Sequence, residues 1–103
     1  MTHEVRPELA AIGERLRWLE KALGLNGNQI SAELGLTRQR WSMYKLGHRE
    51  LSIWTAADMR RRWGCSLDWL YLGEEYRNEE PLRLKLEAAR QRQARPAETH
   101  RNR

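Results

Sequence analysis

The segment ISAELGLTRQRWSMYKLG, residues 30–47, decides how this chain can fold. Apolar residues recur at spacings of three and four on either side of Gly35, which predicts two short amphipathic helices. Gly35 accepts the backbone conformation that ends the helix before it. The Thr37 hydroxyl can accept a hydrogen bond at the start of the helix that follows. We therefore expect two helices joined by a tight turn, with the second projecting from the body.

The flanking sequence continues the helical pattern on both sides of this pair. An apolar repeat from Leu9 to Leu23 predicts a first helix, with Pro7 in its first turn and Gly24 at its end. Asn26 or Asn28 can cap the second helix, and the segments after residues 52 and 66 predict a fourth and a fifth. The sequence therefore predicts an all-α fold. Ser52 and Ser66 are the expected N-caps of the fourth and fifth helices, and Gly64 is expected to end the fourth.

Composition restricts the class of protein. The 103 residues suit one small domain with a tail, and five tryptophans supply apolar area for a core. A single cysteine excludes an intrachain disulfide and a Cys-rich zinc site, and the three histidines show no ligand spacing. No apolar run approaches a membrane span, and the first residues lack a secretory signal. We expect a cytoplasmic, non-enzymatic protein with no cofactor, metal or membrane partner.

Positive charge is unevenly distributed along the chain. Residues 36–63 contain seven basic and two acidic residues, and residues 77–103 contain eight basic and four acidic ones. A basic patch on one element is typical of a partner with a phosphate backbone. Solvated helices carry similar charge, so this pattern alone only weakly indicates nucleic-acid binding.

Residues 12–74 resemble the lambda-repressor-like, Cro/Xre-type helix-turn-helix domain. The matching stretches are IGERLR, ISAELGLT, RQRWSMYKLG and GCSLDWLYLGE, in that order and at near-standard spacing. The resemblance implies a five-helix DNA-binding domain that acts as a dimer, with residues 37–46 as its recognition helix. The chain departs from the family at Gly27, where Gln is common, at Ser31, where Ala is usual, and at Arg60, where a small buried residue is usual.

The predicted recognition helix divides into two faces. Trp41 and Tyr44 project to one side and are expected to anchor the helix in the core. Gln39 can pair with adenine, an arginine can pair with guanine, and Met43 can lie against a thymine methyl. Together with the resemblance, this predicts base contacts from Arg38, Gln39, Arg40, Ser42 and Met43. Phosphate contacts are expected from Asn26, Asn28, Thr37, Lys45, His48 and Arg49.

The C-terminal segment lies outside the resemblance. We expect an N-terminal arm at residues 1–8, the DNA-binding domain at 9–76, a C-terminal helix at 77–94 and a disordered basic tail at 95–103. Asn78 can cap that helix, although alternating leucines at 82–86 leave an edge strand as the alternative. Dimerisation is expected through Trp69, Tyr71, Leu72, Leu82, Leu84 and Leu86.

Taken together, these features predict a sequence-specific transcriptional regulator of the repressor type, from a phage or mobile element, which binds a palindromic operator as a homodimer. The alternative is an antitoxin that regulates its own promoter and binds a toxin through the C-terminal tail. A third interpretation, an adaptor that has lost DNA binding, has only the Gly27 departure in its favour.

Overall fold

Helices account for about three quarters of the described structure, which is a computed structural model covering residues 6–94. This part contains no strand, so the predicted all-α class is confirmed. A short 3-10 turn at Glu75–Arg77 precedes the last helix. The helices are α1 (Pro7–Leu23), α2 (Gly27–Leu34), α3 (Arg38–Leu46), α4 (Ile53–Trp63), α5 (Leu67–Leu72) and α6 (Glu80–Ala94).

The first helix has Pro7 in its first turn, as predicted. Because α1 begins at Pro7, the last two residues of the predicted arm are helical. The rest of that arm, residues 1–5, and the predicted basic tail at 95–103 lie outside the described residues. None of the helices described is both long and apolar enough to cross a membrane.

Local side-chain caps define the starts of the helices around the central pair. The Asn26 Oδ1 accepts from the Gln29 backbone N–H, and the Gln29 Oε1 accepts from the Asn26 N–H, each over 2.9 Å. This reciprocal arrangement is a capping box. Thr37 Oγ1 accepts from the Arg40 N–H over 3.0 Å, as predicted. Gly35 has a φ of +69°, so the turn between α2 and α3 uses the left-handed conformation expected of glycine.

The core forms around α1, which packs against α3, α5 and α6. Leu16 and Leu19 are fully buried in the middle of α1. Trp41 and Tyr44 are also buried, which confirms that the two aromatics seat α3. Ser31 is buried, and its hydroxyl donates to the Asn28 carbonyl over 3.1 Å, so the polar group has a partner.

The C-terminal segment is a helix rather than an edge strand, and it belongs to the same core. Leu82, Leu86 and Ala89 of α6 are buried, whereas Leu84 is 58% exposed. The predicted leucine dimer face is therefore corrected for Leu82 and Leu86. Their side chains pack inside one chain, because α6 lies along α1.

Asn78 does not cap α6, which corrects another prediction. Its Oδ1 instead accepts from the Ser66 backbone N–H over 2.6 Å. The Glu79 N–H donates to the Gly64 carbonyl over 3.1 Å, which strengthens the same junction. These two bonds attach the start of α6 to the connection between α4 and α5.

Candidate nucleic-acid interface

The outer face of α3 is polar and open to solvent. Arg38, Gln39 and Arg40, in its first turn, are exposed, and Ser42 and Met43 are half-buried. The two arginine side chains make no ion pair or hydrogen bond with any described residue. The sequence-predicted base-reading residues thus lie on one short helix. Gln39 is opposite the buried aromatics, whereas Arg38 and Arg40 lie towards the edges of the aromatic face. Their role in base recognition stays a prediction.

A carboxylate from α1 lies against the C-terminal half of α3. The Trp41 indole Nε1 donates to Glu20 Oε2 over 2.7 Å, and the Lys45 Nζ lies 2.8 Å from the same oxygen. The Glu20 side chain is 16% exposed and that of Lys45 is 23% exposed. Sequence reasoning missed Glu20, because nothing local to α1 shows which residues of α3 it will meet.

A groove of about 340 Å³ separates the start of α2 from α3. One wall contains Gly27, where an added Cβ would lie 3.5 Å from Lys45 Nζ and 3.6 Å from Trp41 Cδ1. Backbone N–H groups and the helix dipole at the start of α2 favour an anion here. The structure therefore brings together several of the predicted phosphate residues, and the groove is lined by Asn26, Gly27, Asn28, Arg38, Trp41, Ser42 and Lys45.

The C-terminal end of α3 rests directly on α1. Gly13 is buried at this crossing, where the Lys45 carbonyl approaches its Cα closely. The Arg17 Nη1 donates to the same carbonyl over 2.6 Å, which satisfies one of the free acceptors at the end of α3. The orientation of α3 is therefore set by backbone contact as well as by the buried aromatics.

The loop after α3 presents the remaining predicted phosphate residues. His48 and Arg49 are exposed, and neither side chain pairs with a described residue. Glu50 beside them pairs with Arg6 over 2.6 Å. The side-chain hydroxyl of Thr37 serves as the α3 cap and keeps its own proton free to donate.

Two of the three arginines of α4 form ion pairs within the chain, unlike the arginines of α3. Arg61 and Arg62 pair with Asp58 over 3.4 and 3.1 Å, and Arg62 also reaches Glu33. Arg60 is exposed, so a charged residue at this position is accommodated without burial. Most of the RRR cluster is thus engaged within the chain, whereas the α3 arginines are available to a partner.

The residues predicted for dimerisation are mostly not on the surface. Trp69 is buried with Leu82 and Leu86, and Tyr71 is half-buried with its hydroxyl donating to the Leu51 carbonyl over 2.7 Å. Burial also raises the pKa of Tyr71. Leu72 and Leu84 are the two exposed members of the set.

A second groove, of about 270 Å³, lies between α1, α5 and α6 beside Trp18. Its arginines are engaged within the chain, because Arg15 Nη1 donates to the Leu70 carbonyl over 2.9 Å and Arg90 pairs with Glu75. Burial lowers the pKa of Arg15. This groove therefore lies where α6 packs against the rest of the protein.

Nothing among residues 6–94 forms a cluster of metal-ligating side chains. Cys65 is fully buried, and burial raises the pKa of its thiol to about 12. A thiol held protonated in this way is a poor nucleophile. Its surroundings agree with a packing role in the core.

Comparison of the chain with protein-family models, with curated proteins and with solved structures found no match.

Proposed function

We propose that this chain is a sequence-specific DNA-binding regulator of the lambda-repressor-like, Cro/Xre type. The observation that carries the proposal is the division of α3. Two buried aromatics fix one side of this helix, and its first turn displays unpaired arginine and glutamine side chains to solvent. A rigid short helix with exposed hydrogen-bonding groups at its N-terminal end suits insertion into the major groove.

The exposed side chains of α3 match the chemistry of base edges. Gln39 can hydrogen-bond adenine N6 and N7 together, and Arg38 or Arg40 can do the same with guanine O6 and N7. Met43 offers an apolar contact for a thymine methyl. A merely solvated basic helix would also expose arginines. On α4, however, Arg61 and Arg62 form ion pairs with Asp58 of the same chain.

Phosphate contacts are proposed on both sides of α3. The groove at the start of α2 combines backbone N–H groups with the side chains of Arg38 and Lys45. His48 and Arg49 on the following loop supply the other side. These contacts would position the helix on the duplex, whereas the α3 side chains would provide the sequence preference.

The regulator is proposed to act as a homodimer on a palindromic operator, as a repressor of phage or mobile-element type. Two-fold related recognition helices would then occupy successive major grooves about one helical turn apart. Of the predicted dimer residues, Leu72 and Leu84 have the exposure that a contact between copies requires.

Selection of bound duplexes from random double-stranded DNA tests the proposal. We expect a two-fold symmetric motif with half-sites about 10–10.5 base pairs apart, and a dimer by light scattering of the complex. The matched control replaces Arg38, Gln39 and Arg40 together by alanine, which leaves the Thr37 cap and both aromatics in place. Enrichment of no motif by the wild-type protein, or of the same motif by the triple variant, would overturn the proposal.

A further inference from the structure

We propose that Glu20 is a positioning residue for DNA binding, which offsets the charge of Lys45 and so limits its contact with phosphate. The inference rests on the proposed function and goes beyond it. It assigns a role to a carboxylate on α1, outside the helix pair that would touch DNA.

The geometry places one carboxylate oxygen between two side chains of the recognition helix. Glu20 Oε2 accepts from the Trp41 indole over 2.7 Å and lies 2.8 Å from the Lys45 Nζ. Trp41 and Lys45 are four residues apart, so they lie on the same face of α3. Glu20 therefore adds to the contacts that hold the rotation of the recognition helix about its own axis.

The same ammonium group is open to the groove in front of α2. Gly27 has no side chain to cover it, and a Cβ there would lie 3.5 Å from Lys45 Nζ and 3.6 Å from Glu20 Oε2. A phosphate in the groove would reach Lys45 from this side while Glu20 holds it from the other. The carboxylate and the phosphate would then compete for one cation.

This competition has a measurable consequence. A lysine that fully neutralises one phosphate adds about 0.9 to the slope of log affinity against log salt. With Glu20 ionised, Lys45 contributes only part of that amount. Replacing the carboxylate by an amide removes the competing charge, while the amide oxygen can still accept from the Trp41 indole.

The test is a salt titration of binding to a selected duplex, followed by fluorescence anisotropy between about 50 and 200 mM salt. We expect E20Q to bind more tightly than wild type at low salt, with a slope steeper by up to about 0.9. Its advantage then shrinks by up to about three- to fourfold over this range. In the E20Q background, K45Q should flatten the slope by about 0.9, and in the wild-type background by clearly less.

The matched control is E75Q, which removes one carboxylate from the ion pair with Arg90 and changes the net charge equally. It should leave the slope as in wild type. An unchanged slope in E20Q, or equal steepening in E75Q, would overturn the inference while DNA binding stands. If E20Q does not fold, K45Q alone decides: a slope loss of the full amount of about 0.9, or no loss at all, would overturn it, and a measurable loss between these would support it. Absence of wild-type binding to any duplex at low salt would overturn the proposed function and this inference together.

Discussion

The backbone of Gly13 contacts the carbonyl oxygen of Lys45, so closely that an added Cβ on Gly13 would lie 2.1 Å from that oxygen. Gly13 lies on α1 and Lys45 is near the end of α3, the proposed recognition helix. Because Gly13 has no side chain, α3 can pack closely against α1 at this point. The proposed DNA-binding surface depends on this crossing.

Replacing Gly13 by alanine should destabilise the protein by about 1–3 kcal/mol or more, because overpacking against backbone cannot be relieved by a rotamer change. Alanine favours a helix over glycine by roughly 0.5–1 kcal/mol, which is too little to compensate. Urea unfolding followed by circular dichroism measures the change. Gly27→Ala is the control, since its Cβ meets neighbours at 3.5–3.6 Å, which is ordinary contact. Equal effects of the two substitutions would contradict the close crossing.

Leu86→Ala tests whether α6 is part of the core of a single chain. Leu86 is 1% exposed, so truncation should cost about 2–5 kcal/mol in the free energy of unfolding. Lys85→Ala, next to it on the exposed side, should change it by no more than about 0.5 kcal/mol. The difference should be independent of protein concentration. If Leu86→Ala instead weakened dimerisation and left monomer stability unchanged, the placement of α6 would be wrong.

The Cys65 thiol should make the protein less stable in alkaline solution. Its pKa is raised by burial from 9.0 to about 12, so between these values the unfolded chain loses its proton while the folded chain keeps it. Below pH 9 the thiol is protonated in both states and has no effect. Above it, the free energy of unfolding should fall by up to roughly 1.4 kcal/mol per pH unit.

Cys65→Ala provides the control for this pH dependence. Its unfolding free energy should fall less steeply above pH 9 in urea titrations at successive pH values. Tyr71, whose pKa is also raised by burial, lowers stability in the same direction above pH 10. Because both proteins retain Tyr71, the difference between their curves reports the thiol. Parallel curves would show that Cys65 is accessible to solvent in the folded state.

Features that depend on neighbours in sequence could be predicted. Thr37 and Asn26 cap their helices through residues three positions away, and Gly35 ends α2 by its own conformation. The burial of Trp41 and Tyr44 follows from helical periodicity, since both lie on one face of α3. In each case the physical cause lies within one or two helical turns.

Features that depend on tertiary contact could not be predicted. Asn78 has the side chain of a helix cap, but its oxygen bonds Ser66, twelve residues earlier. The periodicity of Leu82 and Leu86 indicates an apolar face and does not show whether that face meets α1 or a second chain. Glu20 meets Lys45 only because α1 and α3 cross at Gly13.

Gln39→Ala should separate base reading from general attraction to DNA. Gln39 is exposed on α3, so its loss should leave the free energy of unfolding nearly unchanged. On a duplex selected by the wild-type protein, it should weaken binding by about 1–3 kcal/mol, because a bidentate contact with adenine is lost. On random duplexes at the same salt concentration, binding should scarcely change, since phosphate contacts dominate there. Arg49→Ala is the matched comparison. It should weaken binding to both duplexes alike and reduce the slope of log affinity against log salt by about one. Equal loss on the two duplexes for Gln39→Ala would place Gln39 outside the base-reading set.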